Sequence, residues 1–258
     1  MNFLSIHRAC AAALALALCV APARGALADE FTAPQKDAIG EIVRAYLIEH
    51  PEVLRDAMKA LDEKETAATA AAQQKILGDP QSAVFASQYQ ANVGDPQGKT
   101  TLVEFFDYNC HFCKGALPDM ARLLKDDPKL HLVLKDFPVL GPGSVEAAKV
   151  AIAARNQLPG DKFWAFHTKL LATQGPVGKD EALAVAKDLK LDMAKLQKDM
   201  DDPKVADGIQ ETLKMADSLQ INGTPSFVVG QEVVVGAVGY DQLKQKLDSV
   251  RQCGHAAC

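Results

Sequence analysis

In "TLVEFFDYNCHFCKGALPDM", residues 101–120, an apolar run of β-prone residues changes at a cysteine into a pattern with helical spacing. A buried strand that feeds directly into an amphipathic helix restricts the chain to layered α/β architectures. "LHLVLKDF" at 130–137 reads as a second strand, and a helix crossing between the two would make them parallel. Cys110 then stands at the C-terminal end of a strand and the N-terminus of a helix, with Cys113 one turn further on. Unpaired amides and the helix dipole stabilise a thiolate there, and a protonated His111 would act in the same direction. Three readings of the pair compete: half a metal site, a structural bridge, and a redox couple. Zinc takes about four ligands, and the other pair, Cys253 and Cys258, has a different spacing in a terminal tail. A bridge closing so tight a loop constrains the unfolded chain little. Redox chemistry fits best, because Cys113 can form the intramolecular disulfide or resolve a mixed disulfide held on Cys110.

The first residues address the compartment. Arg8, the apolar "ACAAALALALCVA" and the small-x-small "ALA" at 26–28 read as a secretory signal peptide over 1–28. A lipoprotein reading would lipidate Cys19, but Leu18 precedes it where a small residue is wanted. The mature chain is thus expected to be exported to a periplasm. With Cys10 and Cys19 removed, four of the six cysteines remain, in a compartment where disulfides persist. A formal charge of -5 argues against a nucleic-acid partner.

Residues 29–78 differ from the rest. Thr32, Pro34 and Gln35 read as a capped helix start. Ile39, Ile42, Val43, Tyr46 and Leu47 mark one face, Pro51 opens a second helix, and Leu54, Met58 and Leu61 continue the stripe. "GDP" at 78–80 stops that helix. Stripes this narrow must cover either the main domain or another copy of themselves. The main domain is expected over 79–252. It reads as β-β-α-β, five helices near 144–157, 161–173, 179–190, 192–201 and 204–220, then β-β-α, with a helical insertion at about 141–206. "PSFVVG" and "EVVVGAV" form a hairpin, and 253–258 is a cysteine-containing tail. The charge-rich helices near 179–215 read as solvated faces, His167 as a core-packing residue, and His131 as lying on a strand edge.

Two further features bear on the cysteines. Glu104 falls six residues before Cys110 in the apolar strand, where it either points to solvent or is buried with a raised pKa. Buried, it would relay the proton that Cys113 loses on attacking a mixed disulfide. Pro225, after Gly223-Thr224 and directly before a strand, is a candidate cis peptide, and the Thr224 backbone could pair with an extended substrate.

Together, "FFDYNCHFCKGALPDM", the upstream Glu104, "FWAFHTKLL" and "GTPSF" resemble the DsbA-like thioredoxin-fold disulfide oxidoreductases over roughly residues 85–250. The leading "IGEIVRAYLIEHPEVLRDAMKALDEKE" resembles the N-terminal extension of the ScsC (suppressor of copper sensitivity) and Com1-like branch, in which such extensions can oligomerise. The resemblance implies an α/β thioredoxin fold with an inserted helical domain behind an N-terminal oligomerisation segment. It makes Cys110 the nucleophile, Cys113 the resolving cysteine, Glu104 the buried acid and Thr224-Pro225 the cis-proline loop. His111 and Phe112 then join Thr224 and Pro225 as substrate-contacting positions. His111-Phe112 departs from the Pro-His of strongly oxidising members, so such a potential does not carry over. No cofactor or metal is implied at this site. The implied partners are exported cysteine-containing proteins, a DsbB-like membrane oxidase or DsbD/ScsB-like reductase, and further copies of the chain. The reading is a thiol:disulfide interchange protein with isomerase capability. A monomeric DsbA-like oxidase is the alternative. A copper-binding protein is a third class, since "CGHAAC" could offer two thiolates and an imidazole to Cu(I). A tail disulfide, metal capture and free thiols all stay open for Cys253 and Cys258.

Overall fold

A computed structural model describes residues 31–258; the signal-peptide reading of 1–28, with Cys10 and Cys19, lies outside the described residues. The chain divides into two compact units, up to Lys59 and from Ala60 onward.

The first unit holds helix α1 (Ala33–Glu49) and the start of α2 (Pro51–Leu77). The Gln35 side chain accepts from the Thr32 amide at 2.9 Å, which is the capped start expected at Thr32. Proline lacks the N–H that a helix interior needs, so Pro51 separates the helices and sits at the start of α2. Ile39, Ile42, Val43, Tyr46, Leu54, Met58 and Leu61 are all exposed and Leu47 is half-buried.

From Ala60 the chain is built on one sheet. Strands β1 (Ala91–Gly94), β2 (Thr100–Phe106), β3 (Leu130–Asp136), β4 (Ser226–Val229) and β5 (Glu232–Val235) take the order β1-β3-β2-β4-β5. Strands β2 and β3 are parallel, with Glu104 opposite Leu134, and helix α4 (His111–Asp126) crosses between them as expected. The β4–β5 hairpin turns at Gly230, whose φ of 58° is left-handed and suits glycine. Because β3 is an interior strand, His131 is not on an edge. It is half-buried between Asn92 and Thr101 of the two flanking strands.

Alternation along the strands sorts side chains to two faces. Leu102, Phe106, Leu132, Leu134, Phe227 and Val229 share one core with α4, four helices of the insertion and the closing helix α10 (Tyr240–Cys253). Glu104, at the alternate position between Leu102 and Phe106, points the same way. Val103, Phe105, Val133 and Val228 meet Leu77, Val84, Met215 and Leu219 on the other face. Val84 lies in a four-residue helix, α3 (Ala83–Ala86), that the sequence pattern did not suggest.

Between β3 and β4 run helices α5 (Pro142–Ala154), α6 (Asp161–Leu171), α7 (Lys179–Asp188), α8 (Met193–Met200) and α9 (Pro203–Ser218), close to the five stretches predicted. The anticipated end of the insertion, about 206, falls in the first turn of α9, whose later residues Met215 and Ala216 pack on the sheet core. The C-terminal half of α2 also belongs here: Gln73 donates to the Leu219 carbonyl at 2.7 Å, Thr69 to Gln220 at 3.0 Å, and Leu77 is buried.

Candidate active site

Strand β2 is buried along almost its whole length and leads through Asp107, Tyr108 and Asn109 to Cys110, the N-cap of α4. The Cys110 sulfur accepts from the Cys113 amide at 3.4 Å and donates its proton to the Thr224 carbonyl at 3.0 Å. A residue 114 positions downstream in sequence is thereby brought onto the sulfur. The Thr224–Pro225 peptide is cis, as the sequence suggested. Cys110 and Cys113 are both free thiols; Cys113 is fully covered, while His111 and Phe112 stand exposed with their rings edge to face.

The surroundings divide the two thiols. A hydrogen bond from the Cys113 side chain, opposed by burial and supported by Thr224 and the Cys113 and Phe112 amides, lowers the Cys110 pKa to about 5. The same hydrogen bond, together with burial and the nearby Glu104, pushes Cys113 well above an ordinary thiol. The groups that lower Cys110 are its helix-start neighbours and the Thr224 side chain. Glu104 is 2% exposed, and burial, with the negative charge of Cys110 second, raises its pKa to about 8. Of its two readings, the inward-facing one holds.

The structure thus brings Cys110, Cys113, Glu104, Thr224 and Pro225 together, with His111 and Phe112 on the outer rim. Chemically it offers a reactive thiolate, a second thiol that keeps its proton, and a buried carboxyl able to exchange a proton near neutrality.

Sequence reasoning missed the clamp beneath this site. Asp107 is buried, and its Oδ1 accepts from the Asn109 amide (2.8 Å) and the Ser144 hydroxyl (2.7 Å). Its Oδ2 accepts from the Val139 and Leu140 amides at 2.9 and 3.0 Å. Its own carbonyl accepts from the Cys110 amide at 3.0 Å. Asn109 donates to the Val177 carbonyl and accepts from the Val177 amide, at 2.8 and 2.7 Å. The available signal was two short polar residues, Asp107 and Asn109, at a strand–helix junction, where such side chains commonly bond to nearby backbone. His167 packs in the core as expected, against Phe106, Tyr108, Phe163 and Trp164, and burial lowers its pKa to about 3. Lys114 ties the first turn of α4 to the Thr173 carbonyl at 2.7 Å.

In the tail, Cys253 and Cys258 form a disulfide with Cα atoms 6.3 Å apart, one of the three states left open for them. Among the described residues no group of three or more His, Cys, Asp or Glu side chains is placed to hold a metal ion.

Comparison with known proteins agrees with this geometry. Residues 35–68 match the copper resistance protein ScsC N-terminal domain. The crystal structure of a thioredoxin-like oxidoreductase from Silicibacter pomeroyi superposes with a TM-score of 0.63 at 38% identity, covering 66% of this chain and 97% of that one. Proteus mirabilis ScsC in a transitional conformation gives 0.60 at 27% identity, covering 83% and 94%. Among curated sequences, the Salinispora arenicola Na(+)/H(+) antiporter NhaA 1 is 31% identical over 151 residues, 58% of this chain and 23% of the antiporter. The chain therefore spans about a quarter of that relative's length. Residues 101–248, more than half of the chain, match the DSBA-like thioredoxin domain, and the chain belongs to that family.

Proposed function

We propose that the chain is an exported thiol:disulfide interchange protein that acts through Cys110 and Cys113. The observation that carries this reading is the pair of opposed thiols: Cys110 is favoured as a thiolate by the Cys113 thiol, the Thr224 side chain and the helix-start amides, while Cys113 is held protonated. As an oxidant, the Cys110–Cys113 disulfide is attacked at Cys110 by a substrate thiolate, and the Cys113 sulfur leaves. A second substrate thiolate then displaces Cys110, so two electrons pass from substrate to protein. As an isomerase, the Cys110 thiolate attacks a wrong substrate disulfide, and the freed substrate thiolate attacks another cystine. Where no rearrangement follows, Cys113 resolves the adduct and Glu104 takes its proton, as suits a carboxyl raised to about 8.

The substrates are exported polypeptides with cysteines in extended segments. Supporting this, Phe112, Val139, Leu140 and Val235 are exposed apolar side chains on segments that adjoin the sulfur. The Val139 and Leu140 amides bond Asp107, and Val235 pairs with Ser226 beside Pro225. The leader-like 1–28 and the tail disulfide support a periplasmic site of action. A DsbB-like oxidase or a DsbD/ScsB-like reductase in the membrane would then recharge the pair. Isomerase capability rests on assembly: the exposed stripe of Ile39, Ile42, Val43, Tyr46, Leu54, Met58 and Leu61 suits a helical seam between copies. Several sites facing one cleft could hold a misfolded substrate through repeated attack.

Light scattering followed by refolding of a scrambled substrate tests this. Ile42→Glu/Met58→Glu should convert an oligomer into a folded monomer that still reduces disulfides but isomerises poorly. A wild-type chain that is monomeric at micromolar concentration removes the support for isomerase over oxidase.

A further inference from the structure

The second cysteine pair has no part in the site above. Helix α10 ends at Cys253, Gly254 takes a left-handed φ of 82°, and the chain folds back to bring Cys258 into bonding distance. Between them Ala256 is buried in the same core as Leu243 and Leu247, and it lies beside Gly230 at the end of β4. Burial of Ala256 holds the tail in place, while Cys253, Cys258 and His255 are all exposed.

Position along the sheet separates the two pairs. Val229, next to Gly230, lies opposite Leu102 near the start of β2, whereas Cys110 follows the far end of β2. The strand from Leu102 to Phe106 alone covers roughly 13 Å at the usual rise per residue. A tail docked through Ala256 cannot reach the Cys110 of its own chain. A tail on another molecule can, because its sulfurs face solvent.

The direction of electron flow follows from where the sulfurs sit. At the start of α4 a Cys110 thiolate meets helix amides, which stabilises the reduced form of that pair. Cys253 occupies the opposite end of a helix, where outward carbonyls disfavour a thiolate and the disulfide is the preferred state. We propose that the reduced tail of one molecule is a substrate of the Cys110–Cys113 disulfide of a second copy of this chain, so that the tail disulfide is made in trans. The proposal rests on reading Cys110–Cys113 as an interchange site. A thiolate from Cys253 or Cys258 attacks Cys110 of the other copy, forming a mixed disulfide and releasing the Cys113 sulfur, which takes up a proton. The second tail thiolate then displaces Cys110. One disulfide is lost at the helix start, one is gained in the tail, and two electrons cross between molecules.

The test uses two variants of the mature chain, which begins after residue 28 and so lacks Cys10 and Cys19. Cys110→Ser/Cys113→Ser is reduced and supplies only tail thiols. Cys253→Ser/Cys258→Ser is oxidised and supplies only the Cys110–Cys113 disulfide. They are mixed without oxygen, alkylated at intervals, and read by intact mass, beside a reduced unstructured peptide with two cysteines as a control substrate. The first variant should lose two thiols as the second gains two, at least ~10-fold faster than with the same concentration of glutathione disulfide. A tail that stays reduced, or reacts no faster than with glutathione disulfide, while the control peptide is oxidised, overturns the proposal and leaves the interchange reading standing. If neither tail nor peptide is oxidised, the interchange reading itself falls and takes the proposal with it.

Discussion

The two cysteine pairs use opposite ends of a helix. Cys110 caps the start of α4, is almost wholly covered, and remains a free thiol with Cys113. Cys253 closes α10, is exposed, and is bonded to Cys258. The residue type is the same, yet inward amides, a neighbouring thiol and the Thr224 side chain prepare one sulfur for reversible exchange. Cysteine content alone therefore says little about reactivity here; the element that carries the sulfur decides it.

The sharpest way to break this contrast is to remove each pair in turn. Cys110→Ser should abolish dithiol exchange in an insulin-reduction assay. Cys113→Ser should retain the attacking thiol and accumulate mixed disulfides visible on non-reducing gels. A Cys110→Ser protein that still cycles would place the chemistry elsewhere. Next in size is the pH response of Glu104. Its pKa is raised from 4.5 to about 8, so the folded protein holds a proton that the unfolded chain releases. Its contribution is therefore present below pH 4.5 and lost as pH rises through about 8. The stability of Glu104→Gln relative to the parent, in the reduced form, should grow by about 2–4 kcal/mol between pH 5 and 8. Cys110 works the other way: lowered from 9.0 to about 5, its contribution is present above 9.0 and lost as pH falls through about 5. Urea titrations at several pH values separate the two, and a flat difference for Glu104→Gln would deny the carboxyl its buried position.

Asp107→Asn should cost about 2–3 kcal/mol, because an amide cannot accept all four hydrogen bonds that the carboxylate receives. Denaturant midpoints check this, and an unchanged midpoint would mean that the clamp does not hold the loop. The smallest effect belongs to the tail. Cys253→Ser/Cys258→Ser should lower stability by about 2 kcal/mol or less, since the loop it closes is short. It should also leave insulin reduction by Cys110 unaltered. A larger loss of activity would show that the two pairs are coupled within one chain.

How much of this was legible in the sequence depends on the range of each interaction. The strand–CxxC–helix unit, the parallel β2–β3 pair and the β4–β5 hairpin were readable because periodicity and turn chemistry are local. The Thr224–Pro225 loop was readable as a site element only beside the cysteines. Asp107 was not, since its partners at 139, 140 and 144 lie in a segment that only the folded sheet brings near. His131 was misplaced for a related reason: the order of strands depends on pairings that no local pattern records, and β1 came to cover the outer side of β3. Helix α3 is too short for a periodic signal. The docking of Gln73 and Thr69 onto residues 219 and 220 came from polar side chains in a stretch whose composition gave no face.

The fold separates the ionisation of Cys110 from that of Cys113. The most direct test is a pH titration of alkylation rate on the reduced full-length protein, resolved by residue through peptide mass. Of this pair only Cys110 should react, with a midpoint near pH 5, while Cys113 stays unreactive past neutrality. Equal rates at both residues, or a Cys110 midpoint near the ~8.5 of a free thiol, would contradict it.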